Sequence, residues 1–495
     1  MTRKRTKITE KDLSSEPEIL RILYQHNPWW MDKPIPDIKL KKFKQSDYFY
    51  LEQELENNKI TAVIGARQVG KTTMLYQLIE KLLSNNKPQN VFFLSLDDQY
   101  LKITLQNLNK IFEIYALNII KIPLDELKQR VYFFLDEIQT VQDWEIILKR
   151  WYDLGYKIKF IISGSSSMNI LQGTSESLVG RIKPQTVLPM KFLEYIRLKE
   201  QNKLGELTNA TNLEMRRALK HSIIQNKAKP FYKACTVASK LFSPFKDKMM
   251  VYLNQYVIKG GYPEIAFIDN MALCAENLRN YLHLTLYKDI MRTGKIRDPV
   301  ALENLVSILA KESSQIINHT NIAKNLDLKR ETLNTYLYLL KTVYLISESE
   351  FYSKSRVKRI RKEKKVYVND IGIRNMAASA LDDQILTDST EVGKMIETVI
   401  ADHTKRLKFN LEQNYSPPLF YWREKYEVDI ILDLLQKPLP IEVKYREQIQ
   451  ESDLRGLNSF KENFKVPMSL VLTKDHLEMD GSTIFMPSWL YMIMC

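Results

Sequence analysis

Glycine is scarce in this 495-residue chain, with 14 in all, and cysteine scarcer still, with three. Cys235, Cys274 and Cys495 stand far apart with no C-x-x-C spacing, which excludes a disulfide scaffold and a cysteine zinc site and suits a reducing cytosol. The six histidines show no H-E-x-x-H pattern, so the usual zinc-hydrolase signature is missing as well. No apolar run reaches the roughly 18 residues of a membrane span. The basic start, residues 1–12, leads into no apolar core, so it is not a secretory signal. No internal repeat and no low-complexity tract is present. What remains is ample core-forming material: 44% hydrophobic and 10% aromatic residues, enough to exclude global disorder. The 73 lysines and arginines outnumber 59 acids, giving +14, a weak pointer to an anionic partner. These counts describe a soluble, cytoplasmic protein of about three domains at roughly 150 residues each.

The few glycines cluster where chemistry is expected. Gly65-Ala66-Arg67-Gln68-Val69-Gly70-Lys71-Thr72-Thr73 fits G-x-x-x-x-G-K-[ST], preceded by the strand-like run Ile60–Ile64 and followed by the amphipathic stretch Thr72–Leu83. In that context the loop amides and helix N-terminus wrap phosphates, Lys71 reaches the β- and γ-phosphates, and the Thr72 hydroxyl ligates Mg²⁺. The apolar run Val131–Leu135 ends in Asp136-Glu137, a pair suited to hold the Mg²⁺ shell and to polarise an attacking water. Ser163 closes a third apolar run. Its hydroxyl either senses the γ-phosphate or simply opens a Ser/Gly turn through Ser167. Arg181, after Gly180, is either an arginine finger or the partner of a surface acid. Apolar runs alternating with helical patterns from residue 59 to 198 predict a parallel sheet with helices on both faces.

Two further regions carry chemistry. Residues 301–350 read as a compact three-helix unit in which Leu333, Leu337 and Leu340 form a buried face, leaving Lys329, Arg330, Asn334, Thr335 and Tyr338 on the other side of the second helix. The following segment, residues 354–365, holds eight basic residues and one acid, half of the chain's surplus. Lys358, Arg359, Arg361 and Lys362 lie where a wing would meet phosphates. Near the C-terminus, Glu427–Asp433 and Leu439–Tyr445 read as strands of a hairpin centred on Leu435/Gln436. That register sets Asp429 opposite Glu442, with Lys444 on the same face. Glu397 lies on an upstream helix striped by Val392, Ile396, Val399 and His403. Such a set could bind Mg²⁺ and activate water against a phosphodiester.

The runs GARQVGKTT, FFLDEIQ, IISGSSS, LVGRI and LPMKFLEY, continued by GGYPE at 260–264, resemble a prokaryotic, archaeal-type group of AAA-type P-loop ATPases with a C-terminal domain of uncharacterised function. The resemblance spans most of residues 27–445 and implies ATP binding and hydrolysis, with Glu137 as base, Arg181 as candidate finger and a winged helix over 301–368. The basic helical stretch 199–247 departs from the pattern. Asp429 with Glu442-Val-Lys444 is similar to the PD-(D/E)XK nucleases, which implies a restriction-endonuclease-like α/β fold; members of that superfamily either cut or only bind. The expected order is a lead-in (1–58) with Asn27–Trp30 docked on the next domain, the ATPase domain (59–198), a helical lid or linker (199–300), the winged helix (301–368) and the nuclease-like domain (369–495), closed by a buried strand within Ile484–Cys495. Two functions follow from this reading: an ATPase whose nucleotide state gates DNA binding or cleavage, or a nucleotide-regulated switch or defence sensor that binds DNA or protein without cutting. DNA, self-association and a protein partner are the expected contacts, with no membrane.

Overall fold

The computed structural model describes residues 15–98, 105–165, 178–200, 203–291, 296, 298–412 and 418–495. The basic start and Ser166–Ser167 lie outside these residues. The chain divides into two compact units, residues 1–65 with 70–187, and residues 66–69 with 188–495.

The first unit is a five-stranded, all-parallel sheet: β1 (Ile60–Gly65), β2 (Val91–Ser95), β3 (Val131–Asp136), β4 (Ile158–Gly164) and β5 (Ile182–Val187), in the order β2-β3-β4-β1-β5. Strands β1 and β3 are buried throughout, as near-continuous apolar runs require when both faces are covered. Helix α1 (Lys71–Leu83) follows β1 directly. The lead-in docks on the β2 edge as expected. The Asn27 amide accepts from Phe93 N at 2.6 Å and donates to Phe93 O at 2.9 Å, and the Trp29 and Trp30 indoles donate to Val91 O at 2.9 and 3.0 Å. Side chains thus occupy an edge that would otherwise offer unpaired backbone groups.

The second unit is built on a mixed nine-stranded sheet. Its helical part comprises α2 (Pro299–Lys311), β6 (Gln315–Ile316), α3 (His319–Asn325), α4 (Arg330–Thr342), β7 (Ile346–Phe351), α5 (Arg356–Arg361) and β8 (Lys365–Val368). Next come the long helix α6 (Ser389–Glu412), then β9 (Leu419–Arg423), β10 (Glu427–Leu434), β11 (Lys437–Val443), β12 (Ser469–Thr473), β13 (Glu478–Asp480) and β14 (Thr483–Pro487). The order is β13-β14-β12-β11-β10-β9-β7-β8-β6. The expected boundary at 368/369 is therefore no break in the fold. β7 pairs in parallel with β9 (Ser349 with Leu419, Phe351 with Tyr421), and one core joins Phe351 and Tyr352 to Phe420, Trp422, Phe460, Val471 and Phe485.

Three further expectations change. The basic segment is a short helix, α5, rather than an extended wing, started by the Ser355 side chain accepting from Lys358 N. The 199–300 region is no separate lid. The Asn212 amide in helix Lys203–Gln225 donates to the carbonyls of Ile493 and Met494 at 2.7 and 2.8 Å, capping the last helix of the same unit. The terminal apolar run splits at Pro487 into β14 and the helix Ser488–Met494; every residue of both is buried, so no periodicity distinguished strand from helix. No helix among the described residues is long and apolar enough to cross a membrane.

Candidate functional sites

The loop from Gly65 to Gly70 joins β1 to α1 at the carboxyl edge of the parallel sheet, where α/β folds bind their ligands. Glycine is required at both ends. A Cβ on Gly65 would lie 1.8 Å from the Val187 carbonyl oxygen, and Gly70 has φ +95°. The exposed Gln68, also at positive φ (59°), completes the turn, and Lys71 and Thr72 open α1 with Thr73 behind them. Lys71 Nζ donates to Gly65 O at 3.1 Å, which folds the cation over its own loop. The Thr72 hydroxyl donates to Asp136 Oδ2 at 2.7 Å. The Ser163 hydroxyl donates to the other Asp136 oxygen and accepts from Glu137 N at 3.3 Å. The Asp136 carboxylate is thus set between hydroxyls from α1 and β4. Glu137 takes a left-handed backbone (φ +55°), a conformation that costs a non-glycine residue on the order of 1 kcal/mol and turns the chain out of the sheet. The Gln139 amide donates to its carboxylate. A hydroxyl, a buried carboxylate, an ammonium and a second acid around a phosphate-sized loop are the donor set that a Mg²⁺-nucleotide needs.

Arg181 does not join them. Its carbonyl accepts from Ile60 N, at the amino end of β1, and its guanidinium pairs with Asp153 at 2.6 Å. The whole length of β1 separates it from the phosphate loop of its own chain, so the surface-acid reading holds within one copy. Arg67, which belongs to the second unit, donates twice at 2.7 Å to the Asp289 carboxylate of that unit.

Residues 57–196 match the family described as an AAA domain. They form an AAA-type P-loop ATPase domain. Residues 250–384 and 392–491 match two domains of unknown function, DUF8612 and DUF4143. Among its relatives, uncharacterized protein MJ1544 of Methanocaldococcus jannaschii is 28% identical over 388 residues, covering 77% of this chain and 74% of its own. MJ1637 of the same organism is 25% identical over 459 residues, covering 90% and 88%. An uncharacterized Haemophilus influenzae protein is 21% identical over 465 residues, covering 91% and 96%. Among solved structures, the Aeropyrum pernix ORC1 protein in complex with DNA overlaps 71% of this chain and 96% of its own at 8% identity, with a TM-score of 0.30. That overlap is too loose to carry function.

In the second unit, β10 and β11 pair in the expected register. Ile430 faces Ile441 and Leu434 faces Lys437 across a two-residue turn, Leu435–Gln436, with both φ values positive (54° and 62°). Continuing that register places Asp429 opposite Glu442. Pairing with β9 slips between Val428 and Ile431, the stretch that carries Asp429. Asp429 Oδ2 accepts from Val443 N at 2.9 Å, and Lys444 Nζ pairs with Glu442. Glu397 approaches from α6. The sequence reading missed a further residue at the centre. Lys365 on β8, 2% exposed, places its ammonium 2.7 Å from Glu397, 2.7 Å from Glu427 and 3.7 Å from Asp429. The Tyr367 hydroxyl donates to the same Glu397 oxygen at 3.1 Å.

Burial works against charge on Glu397, Glu442 and Lys365. It lifts the Glu397 carboxyl to about 7, with Lys365 opposing the rise and Asp429 adding to it, and it raises Glu442, with Asp429 adding. Burial also opposes the Lys365 ammonium, yet Glu397, Tyr367, Asp429 and Glu427 together hold it charged well above its ordinary range. The expected Mg²⁺ site of Glu397, Asp429 and Glu442 therefore does not fit this arrangement, because a protein cation lies between Glu397 and Asp429. Among the described residues no group of three or more His, Cys, Asp or Glu side chains could hold a metal ion.

The other basic residues divide by exposure. On α4, Leu333, Tyr336, Leu337, Leu339 and Leu340 are buried while Lys329, Arg330 and Asn334 are exposed. Around α5, Arg361 and Lys362 are exposed and Lys358 lies 3.5 Å from Glu424. Arg359 instead lies over the Phe420 and Tyr352 rings, 4.8 and 5.8 Å from their centres, and donates to Ser353 O.

Proposed function

We propose that this protein binds and hydrolyses ATP and that its nucleotide state governs how it holds DNA. The observation that carries the reading is the Thr72–Asp136–Ser163 hydroxyl–carboxylate set beside Glu137 at the carboxyl ends of β3 and β4. Mg²⁺, held by Thr72 and Asp136 when bound, would neutralise charge on the β- and γ-phosphates. Lys71, released from Gly65 O, would meet the same phosphates. Glu137 would take a proton from the attacking water, with Ser163 fixing where its backbone leaves β3. An arginine finger from Arg181 would have to come from a second copy.

For the DNA half, the order α2-β6-α3-α4-β7-α5-β8 supports a winged-helix reading, with Lys329, Arg330 and Asn334 exposed at the start of and along α4, where a recognition helix would carry its contacts. Lys358, Arg361 and Lys362 on and beside α5 add charge for phosphate contacts. The restriction-endonuclease-like reading of the C-terminal part gains from the Asp429–Glu442 register and from Lys444. The Lys365 ammonium among its carboxylates favours the reading in which it binds without cutting. The test is anisotropy of labelled duplex DNA with ATP, ADP or no nucleotide, beside a steady-state ATPase assay. Glu137→Gln should bind ATP without turnover and hold the ATP-state DNA affinity. DNA affinity indifferent to nucleotide in a protein that hydrolyses ATP would sink the coupling.

A further inference from the structure

The disagreement at the carboxylate cluster has a definite chemical reading. Glu397 from α6, Glu427 and Asp429 from β10, and Glu442 from β11 come from three elements and gather beside the buried Lys365, with Glu442 buried and the other three partly exposed. In the nuclease resemblance such a set serves a divalent cation. Here the Lys365 Nζ stands within 2.7 Å of two of the carboxylates and 3.7 Å of a third. A fourth oxygen is left over: Glu442 Oε2 is buried and has no hydrogen-bond partner, in a side chain 4% exposed. A buried acceptor without a donor is uncommon, and Lys365 does not supply the donor: the ion pair of Glu442 is with Lys444.

We propose that Lys365 is a built-in replacement for the divalent ion of this site, so that the C-terminal domain is a metal-independent module. The ammonium supplies one positive charge and fixed N–H donors where an ion would supply two charges and an open coordination position. It can hold the carboxylates together, but it offers no vacant position at which a water could be bound and deprotonated. Its source is also unexpected. Lys365 comes from β8, at the end of the basic segment, so the strand that closes the helical part completes the C-terminal site. This inference does not rest on ATP hydrolysis or on DNA binding.

The experiment is Mn²⁺ binding to full-length, nucleotide-free protein, followed by electron paramagnetic resonance of free Mn²⁺. Wild type and Asp429→Asn should bind the same number of ions, and so should Glu397→Gln. Lys365→Ala should gain one ion per chain, and Lys365→Ala with Asp429→Asn should lose it again. A wild-type ion removed by Asp429→Asn or Glu397→Gln would overturn the proposal, as would a folded Lys365→Ala protein that gains none. The wild-type comparison needs no folded variant at Lys365, so the proposal stays testable if that substitution unfolds the chain.

Discussion

His403 provides an acid switch whose size can be worked out in advance. It is fully buried on α6, six residues after Glu397, and both ring nitrogens are committed. Nε2 must accept, because its partner is the backbone N–H of Phe192 at 3.0 Å, so the proton is on Nδ1, which donates to Val399 O at 2.8 Å. Protonating Nε2 would set two donors against one another. Burial depresses the imidazole from 6.5 to about 4, with Asp402 opposing and Arg406 and Lys191 adding to the fall. Unfolded chain therefore binds a proton below about pH 6.5 that the folded chain refuses until about pH 4. Stability contributed by the neutral ring is complete above 6.5 and is lost as pH falls towards 4. At about 1.4 kcal/mol per pH unit, the loss is roughly 3 kcal/mol. Hydrogen exchange of the α6 amides, corrected for intrinsic rates at pH 7 and 4, should show wild type losing about 3 kcal/mol of protection more than His403→Gln. Equal losses in the two proteins would refute the argument.

Lys71→Ala should weaken ATP binding at least tenfold in a fluorescent-nucleotide titration, because the β- and γ-phosphates lose the loop's ammonium; binding within threefold of wild type would contradict it. Replacing Lys358, Arg361 and Lys362 by glutamine, with Arg359 kept because it packs on rings, should lower the slope of log affinity for duplex DNA against log salt by about 2.7, at 0.9 per phosphate contact; an unchanged slope would remove α5 from the interface. Asp370 accepts from Gly261 N at 2.8 Å and Ile373 N at 2.9 Å, so Asp370→Ala should destabilise the second unit by about 2–4 kcal/mol in urea unfolding; a loss under 1 kcal/mol would contradict it.

How much of this was legible in the sequence differed by site. The phosphate loop was readable because its residues are contiguous and answer a local demand: the turn into α1 needs φ +95° at Gly70, which favours glycine. The hairpin register was readable because side-chain alternation has period two, so Asp429 and Glu442 could be paired from the turn outward. Lys365 was not. It ends a run of basic residues, and nothing local separates it from Lys362, which is exposed; what buries it is long-range, the pairing of β8 with β7 and β6 and the approach of Glu397 from α6 and Glu427 from β10. Which of the two readings of Arg181 holds within one copy was equally out of reach. Its distance from the loop is set by the parallel pairing of β5 with β1, which runs Ile60–Ile182 to Gly65–Val187 and puts residue 181 at the far end.

The parallel pairing of β7 with β9 also bears on how the chain can be divided and made. Residues 349–351 supply the hydrogen-bonding neighbour of residues 419–421, about 70 positions later. Protein begun at residue 369 would carry β9 as a bare edge of apolar residues, with Leu419, Phe420 and Tyr421 in a row and no charged residue or proline among them to discourage a second copy from adding itself there. It would also lack the ammonium that neutralises Glu397 and Glu427. Such a fragment should self-associate through its open edge and accumulate in the insoluble fraction. Synthesis of the whole chain meets the same hazard briefly, and ordering removes it: β7 and β8 leave the ribosome before β9, so the edge finds its neighbour already waiting.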